Sequence, residues 1–317
     1  MTVALVHDYL TQRGGAERVV LSMLKAFPGA PLHTALYEPD RTYPEFARTD
    51  VQTMALDKFK PLRRNHRLAL PLLAPAFLRL RVDAETVLCS SSGWAHGVRT
   101  TGRKIVYCYS PARWLYDGGR YLGGRHGVAR LALGPLRPGL VRWDHRAAFT
   151  ADRYLTLSSA VQQKIRAVYG IDADILHPPP NLDPLGPQER VGDMEPGFFL
   201  CVSRLMAYKN VDAVVGAFAE LPGERLVVVG AGPERRRLEA VGGINVRFLG
   251  SVPDEQLRWL FSASIGIVAA SYEDYGLTPL EGLTFGKPGV VLRAGGFLDT
   301  VIEGETGVFF DLSLIHI

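Results

Sequence analysis

The stretch SIGIVAASYEDYGLTPLEGLTF, residues 264–285, governs the reading of the chain. Its apolar start, Ser264 to Ala270, predicts a buried strand. LTPLEGLTF predicts a helix with Pro279 in the first turn, where a missing N–H does no harm. Glu273 then lies in the loop off the strand's carboxyl end, and Glu281 sits just over a turn into the helix. A helix start offers free N–H groups and a partial positive charge, which suits a phosphate. One carboxylate beside such a turn and a second one turn deeper can grip the hydroxyls of a nucleotide sugar at two points. Two solvated acids flanking a helix would show the same spacing, so the neighbouring segments decide.

Working outward, short apolar runs alternate with helical patterns from end to end. The first half predicts strands at 3–8, 31–37, 86–90, 104–110, 153–158 and 174–179. The second half predicts them at 197–204, 225–230, 245–250, 264–271, 288–294 and 306–310. Helical patterns such as 211–221 and 254–264 lie between most of them. This is the βαβ rhythm of parallel sheets covered on both faces. Between the halves, HPPPNLDPLGPQERVGDMEPG (177–197) holds six prolines and reads as a linker. The expectation is an α/β protein: a first domain over 1–180, a linker over 181–196 and a second domain over 197–317. Both domains are doubly wound and face each other across a cleft, with ligands at the carboxyl ends of the strands.

The 317 residues, 47% hydrophobic and 21% charged, suit two folded domains and exclude a disordered chain. Cys89, Cys108 and Cys201 are far apart and show neither disulfide nor metal spacing, so a reducing cytoplasm is expected. MTVALVHDYL turns acidic too soon for a signal peptide, and no run of 18 apolar residues exists. The net charge of +4 hides an asymmetry: residues 1–185 carry a net +10 and residues 186–317 a net −6. A basic first half suggests an anionic partner. Without an aromatic-studded basic ribbon or a reader motif, nucleic acid is not expected. A membrane surface or a phosphorylated acceptor fits better.

Further segments carry chemistry. In CVSRLMAYKN, Arg204 follows a strand and Lys209 stands five residues later at a helix start, a fork-shaped donor and a point charge suited to a diphosphate. GAGPERRRLE places Gly230 and Gly232 in a strand-to-helix turn, short of the full dinucleotide fingerprint, and both are expected among the donor-binding residues with Gly14 and Gly15. Gly14 and Gly15 in TQRGGAERVV follow the first strand, where residues without side chains let backbone approach a ligand; a tight turn is the other explanation.

Taken in order, RGGAERV, SRLMAYKN, VVVGAGPERRRLE, EDYGLTPLE, FGKPGVV and AGGFLDTVIEGETGVFF resemble retaining glycosyltransferases of family 4, with the GT-B fold. The likeness covers nearly the whole chain. YCYSPARWLYD (107–117) and VRWDHRAAFTADRYLTLSS (141–159) look most like the branch of O-antigen and exopolysaccharide mannosyltransferases. The resemblance implies roles. Arg204 and Lys209 hold the donor's β-phosphate and stabilise the leaving diphosphate, and Glu273 reaches the donor sugar. Glu281 takes the ribose hydroxyls. The amides of Gly276, Leu277 and Thr278, and those around Gly15, close on the phosphates. It implies no metal and no cofactor beyond the nucleotide-sugar co-substrate, in keeping with the lack of an Asp-x-Asp motif.

Where many relatives carry a histidine, this chain has Tyr109, which donates a hydrogen bond but is no base near neutral pH. Tyr109, Arg113 and Asp117 are expected on the acceptor side of the cleft, with His96 a weaker candidate. KFKPLRRNHRLALPLLAPAFLRLR (58–81) joins seven Lys/Arg to an apolar stretch, and 119–146 is a second basic segment. Each suits anionic lipid, which fits a branch using lipid-linked acceptors at the cytoplasmic leaflet. The ending GVFFDLSLIHI leaves no room for the family's closing helices, so a truncated end is expected.

The expected activity is therefore a metal-independent retaining transfer of a hexose to a lipid-linked or polysaccharide acceptor. Mannose from GDP-mannose is the expected donor, and UDP-sugars stay open. A nucleotide-sugar 2-epimerase of the same architecture and a nucleotide-binding fragment without turnover are the rivals.

Overall fold

A computed structural model of the chain describes residues 2–116, 134–180 and 182–312. The chain divides into two units, Met1–Pro179 and Pro180–Ile317.

In the first unit the strands are β1 (Val3–His7), β2 (Leu32–Thr34), β3 (Val51–Thr53), β4 (Thr86–Ser91), β5 (Arg103–Cys108), β6 (Arg153–Thr156) and β7 (Asp174–Ile175). Around them run α1 (Gly15–Ala26), α2 (Lys60–Arg64), α3 (Leu70–Arg79), α4 (Arg113–Tyr116), α5 (Arg137–Ala148) and α6 (Ser159–Tyr169). The sheet order is β3-β2-β1-β4-β5-β6-β7 with every pairing parallel. β4, central and buried at all six residues, carries the unbroken burial of a parallel strand covered on both faces. The edge strands β3 and β7 are short and largely exposed, as edges tolerate. α6 shows how local signals set an element. Ser158 caps it by accepting from the Val161 amide, and Gly170 ends it in the left-handed conformation.

The second unit holds β8 (Phe198–Val202), β9 (Leu226–Val229), β10 (Val246–Gly250), β11 (Ser264–Ala269), β12 (Gly289–Leu292) and β13 (Gly307–Phe310). Its helices are α7 (Val211–Ala219), α8 (Arg235–Val241), α9 (Asp254–Ala263), α10 (Leu277–Thr284) and α11 (Phe297–Thr300). The order is β10-β9-β8-β11-β12-β13, again all parallel. Alternation along the strands builds two cores. Cys201, Leu226, Val228 and Val268 join Val214, Val215 and Phe218 of α7. Phe198, Leu200, Val227, Val229 and Ile267 join Leu260 and Phe261 of α9. Side chains one residue apart on a strand point to opposite faces, so these are the two sides of one sheet. The Pro-rich stretch read as a linker is not slack: Leu182 and Met194 are buried in the α9-side core.

In each sheet the strand order reverses once, between β1 and β4 in the first unit and between β8 and β11 in the second. Loops leaving the carboxyl ends of such neighbours diverge and leave a crevice where ligands bind. The loops after β8 and β11 are the two that carry Arg204, Lys209 and Glu273.

Candidate functional site

The second unit's switch point is built from two tethered loops. After β8, Arg204 is exposed and its Nη2 donates to the Tyr208 hydroxyl at 2.7 Å. Lys209 points its ammonium onto Glu273 Oε1 in an ion pair, and the Ser271 hydroxyl donates to that same oxygen at 2.5 Å. The Lys209 ammonium also lies 5.3 Å from the centroid of the Tyr208 ring. Asn210 adopts the left-handed conformation (φ 51°), the one non-glycine to do so among the described residues, and its Nδ2 donates to Ala270 O at 3.0 Å. That bond ties the β8 loop to the end of β11. Glu273, 64 residues beyond Lys209, is thus its neighbour at the crevice, with Arg204 on the same loop as Lys209 and held there by Tyr208.

The Glu273 loop is fixed from its other side. The Gly296 amide donates to Glu273 O at 2.8 Å, and a Cβ on Gly295 (φ 63°) would overlap that carbonyl. Gly276 (φ 89°) caps α10, with the Phe297 ring filling the place of a side chain. Leu277 and Thr278 open α10 and Glu281 lies half-buried within it. Gly230 and Gly232 have a steric task. Cβ atoms there would overlap the carbonyl oxygens of Ser203 and Leu205, so both glycines let the Arg204 segment pass over the β9 turn. Backbone bonds from Ser203 N to Val229 O and from Leu205 N to Ala231 O, each 3.0 Å, hold that crossing.

The first unit places the acceptor-side candidates. His96 is 1% exposed, with Nε2 3.1 Å from Asp144 Oδ1, poorly aligned for a hydrogen bond, and Nδ1 3.2 Å from Ser91 Oγ. Tyr116 and Tyr169 donate to Asp144 Oδ2 at 2.7 and 2.8 Å. Burial followed by the charge of Asp144 pushes both phenols up. His96 is a core residue: Ser91 holds Nδ1 and the Asp144 carboxylate stands beside Nε2 inside the fold. Tyr109 is engaged too. Its hydroxyl meets Ser90 Oγ at 2.9 Å and donates to Ala16 O at 3.2 Å, tethering the start of α1, and burial pushes its pKa well up. Arg113 begins α4 half-buried. Asp117 lies outside the described residues, as do residues 119–133 of the second basic segment and 313–317 of the ending.

Sequence reasoning missed Glu17, on α1 two residues beyond Gly15. It is 1% exposed, and desolvation, with a lesser push from Asp8, raises its pKa to about 7. The signal was available as Gly-x-x-Glu at a helix start, the spacing of a carboxylate that folds back onto its own cap. Asp8 is buried beside it, its carboxylate accepting from the amides of Ser92, Trp94 and Ala95 at 2.6, 3.2 and 2.6 Å. Burial still raises Asp8 to about 6.

Residues 187–313 match the family model described as glycosyl transferases group 1. The match lies within the second unit. Over 189 residues the chain is 26% identical to the sulfoquinovosyl transferase SQD2 of Arabidopsis thaliana, covering 54% of this chain and 36% of that protein. Over 63 residues it is 43% identical to the alpha-1,3/1,6-mannosyltransferase ALG2 of Dictyostelium discoideum, 20% and 15% of the two lengths. The chain thus spans well under half the length of the curated relatives it matches. Among solved structures, Anabaena Alr3699/HepE in complex with UDP-glucose superposes with a TM-score of 0.69 at 16% identity, covering 98% of this chain and 86% of that one. That likeness, with the two parallel sheets, makes the fold GT-B.

Proposed function

We propose that the chain is a retaining, metal-independent glycosyltransferase of family 4 that moves a hexose from a nucleotide-diphosphate sugar to a lipid-linked or polysaccharide acceptor. The observation carrying this reading is the convergence of Arg204, Lys209 and Glu273 at the β8/β11 switch point. Two cations there face the diphosphate, Glu273 takes the sugar's hydroxyls, and Glu281 in α10 takes the ribose hydroxyls. The amides of Gly276, Leu277 and Thr278 close the phosphate end. As the bond from the sugar C1 to the phosphate oxygen breaks, Arg204 and Lys209 neutralise the charge that grows on the diphosphate. The acceptor oxygen bonds to C1 on the same face, and its proton passes to the departing phosphate oxygen. Each well-placed charged donor supplies about 3–4 kcal/mol in comparable sites.

Mannose from GDP-mannose is the donor proposed, supported by the local likeness to a mannosyltransferase. The UDP-glucose held by a protein of like fold keeps uridine donors as the alternative arm. Saturation-transfer NMR against GDP-mannose, GDP, UDP-glucose and UDP-GlcNAc, with an Arg204→Ala/Lys209→Ala control, tests this. Binding of one diphosphonucleotide, lost in the control, is expected. Binding that survives in the control would move the site elsewhere. Binding without turnover on any acceptor would identify a nucleotide-binding fragment.

The acceptor side is proposed to rest on the inner face of the cytoplasmic membrane. No helix of the described residues is long and apolar enough to cross a bilayer. No acidic residue occurs between Lys58 and Val82, where Phe59, Leu68, Leu72 and Leu78 are exposed beside exposed Lys58, Lys60, Arg64 and Arg79. Leucines entering an interface flanked by basic side chains bind anionic lipid peripherally. Cosedimentation with phosphatidylglycerol vesicles and not phosphatidylcholine vesicles is expected, fading in about 1 M salt, where the Debye length is about 3 Å. Equal partitioning onto both at low salt would remove the electrostatic part.

A further inference from the structure

The two cations of the β8/β11 crevice are held in different ways. Arg204 is exposed and leans on a neutral group, the Tyr208 hydroxyl. Lys209 is 11% exposed at its side chain and already carries a counter-ion, the Glu273 carboxylate. The ammonium best placed to meet a phosphate is thus occupied by an anion of the chain itself.

That carboxylate cannot withdraw far. Ser271 Oγ donates to the same Oε1 at 2.5 Å, and the Gly296 amide holds Glu273 O at 2.8 Å. Asn210 ties the lysine's loop to Ala270 O, next to Ser271. Both side-chain donors to Glu273 end on Oε1, which leaves Oε2 without one among the described residues. The pair also lies at an open surface: the Glu273 side chain is 28% exposed, and Tyr208 and Arg204 beside it are exposed.

Two related ligands would meet this pair with different chemistry. A nucleoside diphosphate ends in a phosphate of nearly two charges, whereas its sugar ester ends in one charge and a ring of hydroxyls. The bare phosphate and the Glu273 carboxylate are both anions and compete for one ammonium, and like charges at close range disfavour each other. The sugar ester instead brings hydroxyl donors, which the carboxylate accepts while keeping its hold on Lys209. Arg204 treats the two alike, because leaving a neutral hydroxyl breaks no ion pair.

We propose that Glu273 is a specificity-determining residue, one that favours the sugar-bearing donor over the bare nucleoside diphosphate through its hold on Lys209. This rests on the transferase reading above and adds a sign to it: Glu273 opposes the diphosphate that Lys209 attracts. After transfer, the departing nucleotide has lost the sugar hydroxyls. Once it sheds the proton taken up at the cleaved oxygen, it carries a second terminal charge. The carboxylate then reclaims the ammonium and helps the product leave.

Glu273→Gln keeps the length and hydrogen-bonding capacity of the side chain but removes the competing charge. Isothermal titration of the full chain with GDP and GDP-mannose, and with UDP and UDP-glucose, reads the ratio of bare to sugar-bearing affinity. For whichever base binds, the variant is expected to tighten the bare diphosphate about fivefold to tenfold, up to about 1.4 kcal/mol. The sugar ester is expected to bind no more tightly than to wild type. Added to Lys209→Ala, the same substitution is expected to gain less than about twofold, because no ammonium is freed. Glu273→Asp draws the charge back from Lys209 and is expected to shift the ratio the same way by a smaller factor. It supplies the reading if Glu273→Gln does not fold.

A bare diphosphate that binds the folded variants no more tightly than wild type overturns the proposal. An equal gain for both ligands overturns it too, as does an undiminished gain in the Lys209→Ala background. Wild type that binds neither base fails the transferase reading itself. Nucleotide binding that the Arg204→Ala/Lys209→Ala control abolishes, with an unmoved ratio in Glu273→Gln, fails this proposal alone.

Discussion

Lys209→Ala is expected to slow sugar transfer about 10²–10³-fold while the chain stays folded at a lowered melting temperature. The magnitude follows from the loss of one charged donor aimed at the leaving group, about 3–4 kcal/mol of transition-state stabilisation. Lys209 and Glu273 form a largely buried pair, 11% and 28% exposed at their side chains, so removing the lysine is also expected to cost about 1–3 kcal/mol of stability. Glu273 would keep the Ser271 hydroxyl as its partner. Arg204→Ala is expected to fall in the same range, since its guanidinium is held by Tyr208 from the same loop. If both cations act on one diphosphate, as proposed, the double variant loses less than the product of the two. Initial rates at saturating donor, with donor KM measured separately, check this. A Lys209→Ala enzyme within threefold of wild type would make the Lys209–Glu273 pair a structural tie between two loops.

Legibility in the sequence followed the range of the interaction that fixes each feature. Strands such as VALVH and LVVV are buried by their own composition, and each sits where its apolar run placed it. β3 went unseen because Val51–Thr53 is a three-residue edge strand, mostly exposed, whose pairing with β2 is decided by Leu32, His33 and Thr34 rather than by any pattern of its own. The cationic site was legible since Arg204, Lys209 and Glu273 each stand just past a strand end, and parallel topology gathers strand ends. The burial of His96 was illegible for the opposite reason. Its partner Asp144 is 48 residues distant on α5, and only tertiary packing with Tyr116 and Tyr169 turns a strand-end histidine inward. Tyr208, Asn210 and Ser271 were likewise invisible, because their work is to hold a neighbour's side chain or backbone. Gly230 and Gly232 were seen as glycines at a turn, but the backbone they admit belongs to another loop.

Gly230→Ala is expected to be the most destabilising of the single changes considered for the second unit. Two penalties coincide at this residue. Its φ of 136° lies outside the left-handed well that an L-residue reaches, a strain of about 1–3 kcal/mol. In addition, the new methyl group would overlap the Ser203 carbonyl oxygen, a backbone atom that cannot rotate away. Relief would mean lifting the Ser203–Leu205 segment off the β9 turn and stretching the bonds from Ser203 N to Val229 O and from Gly230 N to Gly250 O. Together these put the expected loss at about 4 kcal/mol, a large part of a domain's whole stability. A fall of roughly 15 °C in the melting temperature of the second unit follows. Gly286→Ala separates the two penalties. Gly286 also has positive φ, 68°, but nothing stands within 4 Å of its Cβ position, so the strain term alone applies, about 1–2 kcal/mol. If thermal unfolding showed equal losses for the two variants, the crossing of the Arg204 segment over Gly230 would not be what demands the glycine. If Gly230→Ala alone collapses donor binding while Gly286→Ala keeps it, then the position of Arg204 is set from beneath, by the backbone crossing that Gly230 admits.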